Sequence, residues 1–189
     1  MRIIAGTLKN STLYLPKNKN TRPLKDMVRE SIFNFLMHSN KIPFQLEKSI
    51  VLDLFAGTGS FGLECISRKA EKVYFVENDK YAIQFLKKNI DKLQVQKKTK
   101  ILNKNVFDIL KKKNVFESKL NLIFCDPPFK KSNIEKIVES IFINDLLKKN
   151  GIIILHRNKI TKEKLPNYLK IIDERTYGIS KIIFAQILV

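Results

Sequence analysis

Between Ser49 and Arg157 the chain alternates short runs that are apolar on nearly every residue with longer runs that are apolar on one side only. The short runs are SIVLDLF, KVYFVE, KTKILNKN, NLIFCD and GIIILHR. A strand without a polar side must be covered on both faces, which is the situation of a parallel sheet flanked by helices. The longer runs SFGLECISRK, KYAIQFLKKNIDKL and NIEKIVESIFINDLLKKN space their apolar residues helically, with Phe85, Leu86, Ile90 and Leu93 forming one side of the second. The pattern therefore predicts an α/β fold with a mostly parallel sheet. The tail LKIIDERTYGISKIIFAQILV differs, since two long extended runs around Tyr177-Gly178 predict an antiparallel hairpin that finishes the sheet.

Upstream of the alternation, MRIIAG and STLYLP are two short extended runs, predicting a small basic hairpin over residues 1–20 ahead of a main domain at 21–189. The stretch TRPLKDMVRESIFNFLMHS then predicts a helix with Pro23 in its first turn and Met27, Val28, Ile32, Phe35 and Leu36 on its apolar side.

The 189 residues, 44% of them hydrophobic, suffice for one sizeable core. Cys65 and Cys125 form no CxxC pair and the histidines are His38 and His156, so neither a disulfide framework nor a metal cluster is expected. No apolar run reaches the roughly 18 residues of a membrane span, and MRIIAGTLKN lacks a signal-peptide core, so a cytoplasmic protein without membrane contact is expected. Lys and Arg number 36 against 18 Asp and Glu, a net charge of +18. That excess calls for a polyanion, and nucleic acid is the first candidate. Arg2, Lys9, Arg22 and Arg29, in the N-terminal segment and first helix, are the expected phosphate contacts.

Ligands of open α/β sheets bind at the C-terminal ends of the strands, where this sequence carries Asp53, Glu77, Asn103 to Asn105 and Asp126. After Asp53 the loop Phe55-Ala56-Gly57-Thr58-Gly59 opens a GxGxxG spacing completed by Gly62, and Glu77 closes the next strand 20 residues after Gly57. Glycines admit close backbone approach, and the acid can take the hydroxyls of a ribose. A dinucleotide would set its pyrophosphate on this loop, where Asp53 repels it. S-adenosylmethionine carries an ammonium and a sulfonium instead, so a methyl donor, with S-adenosylhomocysteine as product, is the expected cofactor. Asn78, Asn105 and Val106 complete the candidate cofactor residues.

At the end of NLIFC, Asp126-Pro127-Pro128-Phe129 is a stiff, extended turn whose prolines offer carbonyls and no N–H. A nucleobase amine is a poor nucleophile because its lone pair is delocalised into the ring. Carboxylate and carbonyl acceptors on its two N–H groups orient the nitrogen and favour the pyramidal geometry of methyl transfer. Phe129 would stack on the unstacked base.

These motifs resemble those of amino-methyltransferases acting on exocyclic amines. MRIIAG, TRPLKDMVRESIFNFL and RTYG further resemble the RsmD-type 16S ribosomal RNA guanine-N2 methyltransferase family, over Met1 to about Tyr177. The resemblance implies a Rossmann-like seven-stranded fold, S-adenosylmethionine as donor, a guanine of 16S rRNA as acceptor, and assembled or assembling 30S particles as substrate, with the enzyme a monomer. Leu24 stands where the family usually has threonine, and Asn105 where it usually has an aspartate facing the adenine amine; an asparagine carbonyl can accept the same bond without charge. A DNA adenine-N6 methyltransferase shares the DPPF chemistry but needs a target-recognition domain. A non-catalytic RNA-binding assembly factor leaves Asp53 and Asp126 unexplained, and an NAD-dependent dehydrogenase conflicts with Asp53.

Overall fold

The computed structural model describes residues 1–16, 24–112, 115–128, 133–161 and 164–188. Its sheet comprises β1 (Ile50–Leu54), β2 (Lys72–Glu77), β3 (Thr99–Asn103), β4 (Leu120–Cys125), β5 (Leu147–Asn158), β6 (Leu169–Tyr177) and β7 (Ser180–Ile187). The spatial order is β3-β2-β1-β4-β5-β7-β6; the first five in that order run parallel, and β7 lies antiparallel between β5 and β6. Direction of travel reverses between β1 and β4, so the crevice beyond their C-terminal ends is the switch point where such sheets bind ligands.

Helices α1 (Asp26–His38), α2 (Ser60–Ser67), α3 (Lys80–Leu93), α4 (Val106–Leu110) and α5 (Ile134–Ile143) cover the two faces. One apolar cluster joins α1, α2 and α3 to one side of the strands, through Phe33, Phe61, Phe75, Leu86 and Phe124. The other joins α4 and α5 to the opposite side, through Leu52, Tyr74, Ile109, Ile137 and Ile153. Successive strand residues point to opposite faces, so strands that are apolar throughout feed both clusters. A stack of rings, Phe33 on Phe61 at 5.2 Å and Phe61 on Phe124 at 3.9 Å, runs from α1 through α2 to β4.

Three local expectations change. The last helix stops at Ile143, and Leu147 onward is already β5; positive φ at Asp145 (48°) and Asn150 (64°) turns the chain within NDLLKKN, and helical spacing there does not outweigh pairing with β4. Within α1, Met27 is 61% exposed while Arg29 is fully buried, so the apolar side is rotated from the expected one. The short α4, capped by Asn105, is absent from the apolar periodicity because it spans only five residues. Pro23 lies outside the described residues.

The N-terminal runs come together through an isolated Arg2–Thr12 bridge and backbone bonds Ile3 N–H to Ser11 O and Leu13 N–H to Met1 O at 2.9 and 3.0 Å. They are also docked onto the core. Ile3 and Leu13 enter the first cluster, and the buried carboxylate of Glu64 on α2 accepts N–H groups from Ile4 and Ala5 at 2.8 and 3.0 Å. Glu64 also takes Arg68 Nε at 2.8 Å and lies 3.9 Å from Arg29 Nε. The family-like segments at the two ends meet here too: on β6, Tyr177 shares a hydrogen bond with Ser31 of α1, and the Arg175 guanidinium lies 5.0 Å over Phe35.

Glu64→Ala should therefore destabilise the chain by about 3–5 kcal/mol, the cost of removing one partner from a buried ion-pair cluster, here the one shared with Arg68 and Arg29. Urea denaturation reads the loss, and amide exchange at Ile4 and Ala5 should accelerate; wild-type stability in the variant would show that Glu64 does not hold the segment.

Candidate active site

The loop after β1 winds tightly. Phe55, Gly57 and Gly59 all have positive φ, of 61°, 55° and 84°. Left-handed backbone is costly for an aromatic residue and clusters at functional sites. Gly57 has open space where a side chain would begin, whereas a Cβ at Gly59 or Gly62 would lie 2.4 Å from Leu86 Cδ1 or 2.3 Å from Phe75 Cε1. The first glycine thus leaves the crevice open, and the other two let α2 close on β2 and α3. Ala56 and Thr58 are buried in this loop, with Ala56 N–H bonded to Val76 O at 3.0 Å and Thr58 O accepting from Asn89 Nδ2 at 3.1 Å.

Around the loop stand three carboxylates. Asp53 is buried at the end of β1, and its Oδ2 accepts the Gly62 N–H at 3.0 Å. Glu77 ends β2; its Oε2 accepts the Gly57 N–H at 2.8 Å, while Oε1 accepts those of Asn78 and Asp79 at 2.8 and 2.9 Å. Asp126 follows β4 and is partly exposed. Burial pushes the Asp53 carboxyl well above the usual carboxylate range, the Gly62 bond opposes this, and the charges of Asp126 and Glu77 push it further up. A site that concentrates like charge favours a cation, the character of a sulfonium and an ammonium together.

The remaining candidates divide. Asn105 Oδ1 caps α4 by accepting the Phe107 N–H at 2.9 Å, and the Val106 side chain is buried in the second cluster, so Asn105 has a structural duty and Val106 can offer a ligand only backbone. Asn78 is exposed beside Glu77. Pro127 is buried and Pro128 exposed, continuing the turn after Asp126. Phe129 and Arg22 lie outside the described residues. Arg2 and Lys9 are exposed. Arg29 is a correction: it is fully buried, bonds Asp26 Oδ1 and the Arg2 carbonyl, and approaches Glu64, so its charge serves the packing of the N-terminal segment and is turned away from any phosphate. Among the described residues no group of His, Cys, Asp and Glu gathers as a metal site.

Sequence reasoning missed His156. Pairing of Cys125 with Leu155 brings Asp126 level with His156 on the neighbouring strand, and His156 Nδ1 lies 2.7 Å from Asp126 Oδ1. On the other side, His156 Nε2 lies 2.9 Å from Ser180 Oγ, at the start of β7. The available signal was position: GIIILHR ends at the same sheet edge as the acids. Asn89 was missed as well. It is buried on α3, exchanges bonds with the Tyr14 backbone at 2.7 and 3.2 Å, and reaches Thr58 O, joining the N-terminal segment to the glycine loop.

Fold and site together define a Rossmann-like methyltransferase of the S-adenosylmethionine-dependent class. The profile of a family described as Conserved hypothetical protein 95 matches residues 1–186, and the chain belongs to that family. It is 34% identical over 180 residues to the Haemophilus influenzae protein named Ribosomal RNA small subunit methyltransferase D, covering 95% of this chain and 90% of that protein. The Escherichia coli protein of the same name is 33% identical over 151 residues, 80% of this chain and 68% of its own. Among solved structures, Escherichia coli yhhF superposes with a TM-score of 0.85 at 26% identity, covering 100% of this chain and 98% of the other.

The raised Asp53 pKa has a sign that can be tested. A carboxyl whose folded pKa exceeds its unfolded value destabilises the fold once ionised, and the penalty grows as pH rises above about 3.9 toward the folded value. Asp53→Asn, which keeps an oxygen for the Gly62 N–H, should therefore melt higher than wild type at neutral pH, with the gap closing as pH falls toward the ordinary carboxylate range. Thermal melts across pH read this, and an unchanged or lowered melting temperature at pH 7 would count against a strained buried charge.

Proposed function

We propose that this protein methylates the exocyclic N2 amine of a guanine in small-subunit ribosomal RNA, acting in the cytoplasm on assembled or assembling 30S particles. The observation that carries the reading is the placement of Asp126-Pro127-Pro128 at the switch point, beside an acid-lined glycine loop. The small-subunit rRNA named in its relatives supplies the substrate class, and the charge of +18 fits a polyanion.

The residues fit the methyl donor by charge and shape. Gly57 and its open side accept close approach, Glu77 keeps one Oε2 lone pair for a ribose hydroxyl beyond the three committed to backbone, and Asp53 favours positive charge. S-adenosylmethionine, when bound, supplies an electrophilic methyl group on a sulfonium. Asp126 accepts one N–H of the guanine amine and the proline-turn carbonyls accept the other, which orients the nitrogen lone pair and stabilises positive charge developing there. Phe129 is proposed to stack on the flipped base. Arg2 and Lys9 hold phosphates nearby.

Transfer of labelled methyl to 30S subunits, naked rRNA and DNA in parallel tests the proposal. Incorporation at guanine N2 of small-subunit rRNA is expected; label in adenine of DNA, or none in any substrate, would overturn it. Asp126→Ala should lower the single-turnover rate on the order of 10²–10³-fold, as for loss of one preorganised electrostatic partner. Replacing Arg2 and Lys9 by glutamine should weaken RNA binding and flatten its salt dependence while calorimetry shows unchanged cofactor affinity; an unaltered salt slope would place the RNA on another face.

A further inference from the structure

Asp126 does not stand alone at the end of β4: behind it lies a chain of side chains drawn from three strands' ends. His156 bridges Asp126 Oδ1 at 2.7 Å and Ser180 Oγ at 2.9 Å, and both His156 and Ser180 are at least nine-tenths buried, at 8% and 9% exposure. A lone carboxylate on a turn can rotate about χ2, and the like charges of Asp53 and Glu77 nearby give it reason to swing toward water. A ring N–H fixed in the sheet removes that freedom. The His156 backbone is held in the β5–β7 ladder opposite Ile182, so the ring is carried by a strand paired within the sheet.

We propose that His156 is a positioning residue for methyl transfer: its Nδ1–H holds Oδ1 of Asp126, leaving Oδ2 for the acceptor amine, and Ser180 fixes the ring by bonding Nε2. The inference rests on the reading that Asp126 receives the amine. A carboxylate oxygen only accepts, so Nδ1 carries the proton in this pair. In the neutral ring Nε2 is then an acceptor and the Ser180 hydroxyl donates to it; a hydroxyl can also turn and accept, so the arrangement holds in either charge state of the ring. No covalent step passes through His156. Its contribution is to keep the oxygen that meets the amine in place, as outer partners of ligating groups do elsewhere.

The test uses the full chain with 30S subunits or naked rRNA, whichever accepts label. His156→Leu removes the donor and should lower the single-turnover rate on the order of 10–100-fold, the range for loss of an orienting partner, with cofactor affinity by calorimetry and RNA affinity by filter binding within about twofold of wild type, since the base is held by stacking and phosphate contacts. His156→Asn, whose amide N–H can take the place of Nδ1–H, should recover most of that rate. On the wild-type protein, ¹⁵N resonances of the His156 ring should show a protonated Nδ1, and Ser180→Ala should shift the Nε2 resonance. Three results would overturn the proposal: a neutral ring protonated at Nε2, a fully active His156→Leu beside an inactive Asp126→Ala, or folded Leu and Asn variants that are equally impaired. If His156→Leu fails to fold, the ring resonances and the Asn variant decide. A fully active Asp126→Ala is a different outcome, which would remove the reading beneath this one.

Discussion

The hydrogen bond from Gly62 N–H to the buried Asp53 carboxylate is the constraint on which the rest of the site depends. It ties Asp53, the next-to-last residue of β1, to the first turn of α2, so the intervening loop must reverse within a few residues. That requirement selects the left-handed backbone at Phe55, Gly57 and Gly59, and the close packing of Gly59 and Gly62 against Leu86 and Phe75. The bond also keeps an unwelcome charge in the interior, since one N–H does not replace the hydration that burial removes. The strain is local to the place where a cation would relieve it.

A second buried carboxylate organises the other side of α2. Glu64 collects two N–H groups of the N-terminal segment and the side chain of Arg68, with Arg29 close behind, and so converts a separate-looking hairpin into part of the core. Asn89 continues that attachment to Thr58 of the glycine loop. The segment that carries Arg2 and Lys9 is therefore linked by hydrogen bonds to the glycine loop.

Opposite charges do different jobs at different depths. Exposed cations supply the long-range field of a chain with charge +18. Arg29 is of another kind: desolvation lowers its pKa and Glu64 and Asp26 raise it, so it belongs to the ledger of folding. His156 with Asp126 is a third case, in which a polar pair is placed by strand register at the edge of the crevice.

Much of this was legible in the sequence because the signals are local. Apolar runs on both faces of a strand require a parallel sheet, glycines at fixed spacing require a tight turn, and two prolines after an aspartate require a stiff one; each follows from backbone sterics within a few residues. The positions of Asp53, Glu77 and Asp126 at strand ends followed from the same reasoning. What only the tertiary structure decided depends on contacts between distant residues: that α1 buries Arg29 and exposes Met27, that Glu64 meets Ile4 and Ala5 some 60 residues away in sequence, and that pairing of β4 with β5 sets His156 against Asp126. A charged residue on a helix looks the same in sequence whether it faces water or a buried counter-charge, and a histidine at a strand end has no partner until the register of the next strand supplies one.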